Sequence, residues 1–453
     1  MTLSDSRLYI IVTALFFVLQ FISFYFGEQW ILHFDVLTYE KAIDFFLNQS
    51  PEVVPFRVSG NPLFFKLLSL LKVEFDVNPY YYARLINLFL MIPFSLMAFR
   101  LSKILNWRNE GALLLLVFLL SFPYVAYAFS LYYYDAVFFL ASLMLLVWAF
   151  EIRSGVAKVF SWREVVIPFL PLVRSSLLIQ IIMMVFLLLI FVKSNKTRAK
   201  LVIVAVASVV VVWAWNVHLE RYENVESNFS VGFYDGYNRE MSPKNRYIYN
   251  KDAYALEYNV PKKSVYEYIY QYPEYLILKA KAAFTSVFSP GFYDSVFSLV
   301  VHGHKKITLF PLLFLFLYLW ALVGTKNRFL LALNAVGWLY FIAHVYVQAR
   351  PPYIFVSHLI FLITIAAYIN TRFLTSGSKR TRFGVLFFLV ILVGVASVNL
   401  LRPAIWYYKR GDNVLVKNVK GVEKGGNLCT PIVGSLAVTN HYRTTYLPIK
   451  FMN

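Results

Sequence analysis

The sequence is poor in charged residues and contains one cysteine. Charged side chains make up 15% of the 453 residues and apolar ones 59%, with a mean hydropathy of +0.61, whereas soluble domains are about 25% charged. A chain this apolar cannot bury its hydrophobic surface in one globular core and needs lipid as solvent. The single cysteine, Cys429, excludes internal disulfides and CxxC metal sites.

Acidic residues are scarce relative to basic ones, and the net charge is +19. The basic residues are scattered among hydrophobic runs, which argues against nucleic acid as a partner. They concentrate in short loops near residues 100–108, 153–163, 193–200, 326–328 and 372–382. Such loops mark the cytoplasmic side of a membrane protein, so the N-terminus is expected in the cytoplasm.

Long apolar runs recur along the chain and predict an all-α polytopic membrane protein of about 10–11 transmembrane helices. The segments 83–99 and 165–172 are the less certain spans. A transmembrane domain is expected over residues 1–400, with a first outer loop at 27–80 and a large outer loop at 216–306. An outer tail follows at 401–453, whose composition suggests a short β-rich cap. The sequence shows no internal repeat that would support an inverted-repeat transporter.

The first outer loop contains a periodic apolar pattern. Val36, Tyr39, Ile43 and Phe46 recur at three- and four-residue spacing, which predicts an amphipathic helix. Asp35 directly precedes this helix and would lie at headgroup depth. There it could serve as a general base for a lipid-borne substrate or simply as a helix N-cap.

Three arginines lie at predicted outer ends of spans. Arg84 suits a phosphate, because its planar fork binds two oxygens, but it could also snorkel toward lipid headgroups. Arg174 lies inside an apolar stretch and needs a partner, either Asp135 or a lipid phosphate. Arg350 is a similar case. Asp135 follows Tyr134 in a tyrosine cluster and could bind sugar hydroxyls or a cation, or cap a helix beside an aromatic belt.

Metal chemistry has little support in the sequence. The pair His302-Gly-His304 is the nearest approach to a ligand motif, and it is weak. No metal site or cofactor is predicted, although a divalent cation remains compatible with the pattern. The sequence also lacks a P-loop and a GxGxxG motif, so no nucleotide site is expected.

The order of these residues resembles the GT-C superfamily of integral-membrane glycosyltransferases. The similar features are an acidic residue and a tyrosine after the first span, an Arg-x-x-Gly-x-Pro stretch, an arginine opening the second span, an acidic residue before the fourth, and an Arg-Ser-Ser turn. In this sequence they are Asp35 with Tyr39, Arg57 to Pro62, Arg84, Asp135 after Pro123, and Arg174 to Ser176. The stretch from Tyr272 to Lys279 is similar to the pre-span loop of protein O-mannosyltransferases and aminoarabinose transferases.

The resemblance implies an inverting transfer of a monosaccharide from a polyprenyl-phosphate donor to a hydroxyl of an envelope glycan or glycolipid. Asp35 would be the catalytic base. Arg84, Arg174 and Arg350 would bind the donor phosphate. Further substrate contacts would come from five residues: Tyr39, Arg57, Asp135, Tyr134 and His344. The active site would face the periplasm from a bacterial inner membrane.

Two departures from the family pattern leave the subfamily open. The first loop has one aspartate rather than an acidic pair, which weakens a metal-dependent mechanism. The late turn reads Arg350-Pro-Pro-Tyr353, where many relatives have Arg-Tyr-x-x-Pro. An O-antigen polymerase or ligase, which would rely on arginine and histidine in the large loop, is the alternative enzyme. A lipid or glycan transporter is a third possibility.

Overall fold

The computed structural model describes residues 7–26, 36–47, 54, 58, 60–75, 79–129, 135–155, 162–222, 309–345, 355–375 and 378–410. These residues are almost entirely helical, and no β-strand occurs among them. The first seven helices are α1 (Arg7–Phe26), α2 (Val36–Leu47), α3 (Pro62–Phe75), α4 (Pro79–Ile104), α5 (Asn109–Ser121), α6 (Pro123–Ala128) and α7 (Asp135–Ser154). The next four are α8 (Trp162–Val166), α9 (Ser176–Phe191), α10 (Asn195–Leu219) and α11 (Leu309–Gly324). The last three are α12 (Arg328–Val345), α13 (Phe355–Ile369) and α14 (Lys379–Arg410).

Six helices within this part of the chain are long and apolar enough to cross a membrane, namely α1, α4, α7, α10, α13 and α14. The helices α5, α9, α11 and α12 are apolar but shorter. A 3₁₀ segment, Ile167–Leu172, connects α8 to the turn before α9, and a π-helical turn, Asn370–Thr375, extends α13. The prediction of a polytopic helical membrane protein is therefore confirmed. The uncertain span at 165–172 is the end of α8 with this 3₁₀ segment.

Proline sets several of the helix boundaries. Pro62, Pro79 and Pro123 each occupy the first position of a helix, where the missing N–H costs no hydrogen bond. Phe122 precedes Pro123 and is extended, with φ −84° and ψ 118°, because the residue before proline disfavours the helical region. This pair of residues ends α5 and starts α6 in a new direction.

The predicted basic loops lie at one end of the helical bundle, which we call the basic end. Arg100 at the end of α4 and Arg163 at the start of α8 both contact Glu151 near the end of α7. Lys200 at the start of α10 contacts Glu164 of α8. The start of α1 belongs to the same end, since the Tyr9 ring lies 4.8 Å from that of Phe99. We call the other end of the bundle the opposite end.

The core lies around α5, α7 and α13, whose side chains are almost all buried. In contrast, α10 and α14 expose large apolar side chains along most of their length, such as Ile203, Trp213, Phe387 and Val390. Exposed apolar surface on that scale does not suit water. It is the surface expected of helices that face hydrocarbon.

A second, smaller core stands at the opposite end. It joins α2 and α3 of the predicted first loop to the end of α10, and Ile43, Phe65 and Leu219 are buried in it. The predicted amphipathic helix is present as α2, with Ile43 1% exposed. The helix α3 was not predicted, because its apolar residues give no clean periodicity. Lys72 of α3 donates to Asp44 Oδ1 of α2 at 3.1 Å.

Candidate functional site

A buried ion pair lies at the opposite end of the bundle. Arg174 Nη1 donates to Asp135 Oδ1 at 2.6 Å, and the two side chains are 4% and 18% exposed. The guanidinium carbon of Arg174 also lies 4.3 Å from the centre of the Phe138 ring. Asp135 is the first residue of α7, and Phe138 is one turn later, so one helix supplies both contacts. The predicted partner of Arg174 is therefore Asp135.

The turn that carries Arg174 is held by main-chain contacts. The Ser175 N–H donates to the Gly60 carbonyl at 2.9 Å. With its amide oriented so that nitrogen faces these carbonyls, Asn61 donates to Val173 O at 3.0 Å and to Gly60 O at 3.2 Å. Residues 60–61 immediately precede α3, so the first-loop region braces this turn. We call residues 173–175 the tip.

Polar side chains continue from the ion pair into the bundle. Tyr340 of α12 is fully buried and lies close to Ser176 and Arg174. Two turns below Asp135, the Ser142 carbonyl accepts from Gln180 Nε2 at 3.3 Å, and both residues are fully buried. Three helices therefore contribute polar groups to a region lined otherwise by apolar side chains. Buried polar groups of this kind are rare in membrane spans and mark functional sites by default.

Arg84 occupies a separate position between α1 and α4. Its side chain is 2% exposed, and Nη2 donates to the Phe24 carbonyl at 2.7 Å. The guanidinium carbon lies 4.9 Å from the centre of the Phe24 ring. Asn87, one turn along α4, and Gln20 of α1 are fully buried. The burial of Arg84 contradicts the snorkelling alternative, in which the guanidinium would extend into the headgroup layer.

The structure describes no side chain of the remaining predicted site residues. Asp35, Arg57, Tyr134 and Arg350 lie outside the described residues, as do His302 and His304, most of the large loop and the tail beyond Arg410. Tyr39 lies in α2 and His344 in α12, with only their helical backbone described. The structure thus joins Arg174 to Asp135 and places Arg84 against α1.

Sequence reasoning missed the buried acids of the basic end. Glu151 and Glu164 are 5% and 4% exposed and pair with basic residues that were assigned to solvated loops. The signal was available, because acids are scarce in this chain and both stand at the edge of an apolar run. His358 was also missed; it is 1% exposed and stacks on Phe122, with ring centres 5.4 Å apart.

The arrangement at the opposite end suits recognition of an anion. Arginine presents a planar set of donors that binds the oxygens of carboxylate and phosphate, and weak screening inside a membrane strengthens that interaction. The Asp135 carboxylate already fixes one edge of the Arg174 guanidinium. Within the described residues, no group of three or more His, Cys, Asp or Glu could hold a metal ion.

Comparisons with known proteins leave the function to be argued from these residues. No protein-family model matches the chain, and no curated protein or solved structure matches it. The likeness to the GT-C superfamily therefore stays a prediction drawn from the order of residues. The helical, multi-pass membrane architecture is the part of that prediction that the structure supports.

Proposed function

We propose that this chain is a membrane glycosyltransferase of the GT-C type, which transfers a monosaccharide from a polyprenyl-phosphate donor to a hydroxyl group of an envelope glycan or glycolipid. The observation that carries the proposal is the Arg174–Asp135 pair, a charged hydrogen bond of 2.6 Å between two side chains that are 4% and 18% exposed. Replacing such a pair with apolar residues is often neutral or stabilising. Packing alone is therefore a poor reason for an arginine at this position.

The donor chemistry fits the depth of the Arg174–Asp135 pair. Asp135 stands about 24 Å along α7 from Glu151 of the basic end, at about 1.5 Å per residue. That height places the ion pair near the far boundary of a hydrocarbon layer about 30 Å thick. A polyprenyl phosphate puts its phosphate at the same boundary, while its tail stays in lipid. Arg174 and Arg84, with Arg350, would bind the phosphate oxygens and stabilise the leaving group.

The proposed reaction is a single displacement. Asp35 takes the proton of the acceptor hydroxyl, and the hydroxyl oxygen attacks the anomeric carbon from the face opposite the phosphate. The bond between the anomeric carbon and the phosphate oxygen breaks, and polyprenyl phosphate leaves. One displacement inverts the anomeric centre. The phosphate is already a good leaving group, so no nucleotide is required.

The proposed orientation follows from the charge distribution. The basic end would face the cytoplasm, because short loops rich in lysine and arginine stay on that side. The opposite end, with Arg174 and Arg84, would then face the periplasm of a bacterial inner membrane. About 10–11 spans are expected in all, with the acceptor approaching from the first and large outer loops.

The test is a donor assay with purified protein in nanodiscs. Wild type, Asp35→Asn and Arg174→Gln are each incubated with polyprenyl-phosphate hexoses and pentoses and a total glycolipid extract, and released polyprenyl phosphate is measured. Arg108→Gln is the control, because it removes an exposed arginine of the basic end. Wild type and the control should release polyprenyl phosphate from one donor, and the other two variants should not.

The other outcomes discriminate among the alternatives. Wild-type turnover in Asp35→Asn would remove that residue from the role of base. Folded wild type that acts on no monosaccharide donor, but joins or transfers longer lipid-linked glycans, would indicate a polymerase or ligase. The transport assay uses the protein reconstituted into liposomes. Movement of a labelled glycolipid from one leaflet to the other, with no new glycosidic bond, would indicate a transporter.

A further inference from the structure

A network of buried ion pairs lies at the basic end, far from the arginines discussed above. Glu151 of α7 accepts from Arg163 Nη1 through one oxygen and from Arg100 Nε through the other. The Glu151 and Arg163 side chains are only 6% and 10% exposed, whereas Arg100 is 49% exposed. A single carboxylate thus joins the ends of α4 and α7 to the start of α8.

The residue after Arg163 makes a second set of contacts. Glu164 is paired with Lys200 Nζ of α10 at 2.7 Å, and it accepts from Trp148 Nε1 of α7 at 3.2 Å. The Glu164 side chain is 1% exposed. Consecutive residues of α8 are therefore tied to α7 and α10, and the start of the segment that leads to the tip is fixed on two sides.

The segment from Arg163 to Arg174, which we call the strut, is anchored to α7 at both ends. Arg163 meets Glu151, and Arg174 meets Asp135. These two acids are about 24 Å apart along α7, whereas a strut wound entirely as an α-helix would rise only about 16 Å. The strut is instead a 3₁₀ helix over Ile167–Leu172, with prolines at 168 and 171. A 3₁₀ helix rises about 2.0 Å per residue, and the long arginine side chains cover the remaining distance.

The strut is packed against the bundle on one face only, where Ile167, Pro168, Leu170 and Pro171 are buried. Val165 and Phe169 are 58% and 49% exposed on the lipid side. In lipid, apolar surface gives no hydrophobic drive for one helix to associate with another, so close packing and polar contacts hold helices together. The polar contacts at the two ends therefore add to the packing of the buried face in setting the position of the strut along the membrane normal.

We propose that Glu151 is a positioning residue for Arg174, acting through the strut across the thickness of the membrane. This inference rests on the proposed function only where it concerns donor turnover. Loss of the Glu151 charge leaves Arg163 buried without its carboxylate, so the lower end of the strut moves toward water. The tip, joined to it by a short stiff segment, is then drawn from its contact with Gly60, and Arg174 is displaced from the donor phosphate.

The experiment measures amide hydrogen exchange at the tip and, separately, the kinetics of donor turnover. Amide hydrogen exchange of a peptide containing the Ser175 N–H, which donates to Gly60 O, is followed by mass spectrometry in nanodiscs for wild type and Glu151→Gln. The matched control is Glu110→Gln, which removes the same charge from an exposed pair with Arg108 at the basic end. Exchange at the tip should be at least about tenfold faster in Glu151→Gln, and unchanged in the control.

Donor kinetics supply the second readout. We expect Glu151→Gln to lower kcat at least about tenfold with a smaller change in the KM of the donor, because Arg174 stabilises the leaving group. If wild type itself turns over no donor, the proposed function fails, while the exchange measurement still decides the role of Glu151. Wild-type exchange at the tip in folded Glu151→Gln would overturn the inference.

A second variant covers the case in which Glu151→Gln does not fold. The double substitution Pro168→Ala/Pro171→Ala leaves every charged residue of the ion pairs unchanged but lets the strut wind as an α-helix, which is shorter by about 3 Å over six residues. Faster exchange at the tip of this variant would support the strut as the connection. Wild-type exchange there would overturn it.

Discussion

The Arg174–Asp135 pair allows a sharp test by Asp135→Asn. At 2.6 Å and an effective dielectric constant of about 20, the attraction between the two charges is about 6 kcal/mol. Burial of the two ions costs several kcal/mol each, so the intact pair adds little net stability. Removing one partner is different, because it leaves the Arg174 charge buried without its carboxylate. We therefore expect Asp135→Asn to lower the free energy of unfolding by about 3–5 kcal/mol.

The exposed pair between Lys72 and Asp44 provides the control. Its hydrogen bond is 3.1 Å, and its side chains are 25% and 48% exposed, so water replaces the lost partner. Asp44→Asn should cost no more than about 1 kcal/mol. The assay is reversible unfolding in mixed micelles, followed by helical circular dichroism as the fraction of denaturing detergent is raised.

A double-mutant cycle separates the pair from other effects of the substitution. Arg174→Gln removes the buried charge, so adding it to Asp135→Asn should recover part of the lost stability. The sum of the losses in unfolding free energy of the two single variants should exceed the loss of the double variant by about 1–3 kcal/mol. Equal costs for Asp135→Asn and Asp44→Asn, or additive single costs in the cycle, would refute the description of Arg174 as a buried, paired charge.

Three further substitutions test other contacts. A Cβ added at Gly324 would lie 2.2 Å from the Tyr368 ring, whereas one added at Gly394 would meet nothing within 4 Å. In the same unfolding assay, Gly324→Ala should lower the free energy of unfolding by about 1–3 kcal/mol, and Gly394→Ala should not lower it. Asn334 donates to Thr364 Oγ1 at 2.8 Å inside the bundle, so Asn334→Leu should cost about 1–2 kcal/mol in that assay. Arg84→Gln should raise the KM of a polyprenyl-phosphate donor about 10- to 100-fold, since a hydrogen bond to a charged group contributes about 1.5–3 kcal/mol; an unchanged KM would remove Arg84 from the donor site.

Hydropathy was sufficient to predict the class of fold, because the cost of leaving backbone groups unpaired in lipid allows few alternatives to a helix. The helix α2 was predictable for a similar reason, as its apolar residues recur at helical spacing around Ile43. The helix α3 was not, because Phe64 and Phe65 are consecutive and both buried. Both side chains pack with α2 and the end of α10, which lie elsewhere in the sequence. No local pattern therefore predicts that the two phenylalanines are buried.

The site residues likewise divide into those that the local sequence predicts and those that depend on contacts with distant segments. An arginine in an apolar stretch requires a counter-ion, so the pairing of Arg174 with Asp135 could be predicted from the sequence. The scarce acids at the edges of apolar runs indicated buried pairs at the basic end, but which base each acid contacts could not be predicted, because basic residues near helix ends are usually solvated. The arrangement of α7, α8 and α10 pairs Arg163 with Glu151 and Lys200 with Glu164.

The distribution of these pairs has a physical consequence for the molecule. Helices such as α7 and α13 are surrounded by other helices and are located by close packing of their side chains. The strut is packed on one face only, since Ile167 and Leu170 are buried in the core while Val165 and Phe169 are exposed on the lipid side. Polar contacts at its two ends, through Glu151 and Asp135, add to this packing in setting its depth in the membrane. We expect a short segment held at both ends in this way to transmit a displacement at one end to the other. The charges of the basic end therefore belong to the same mechanical unit as the arginine at the opposite end.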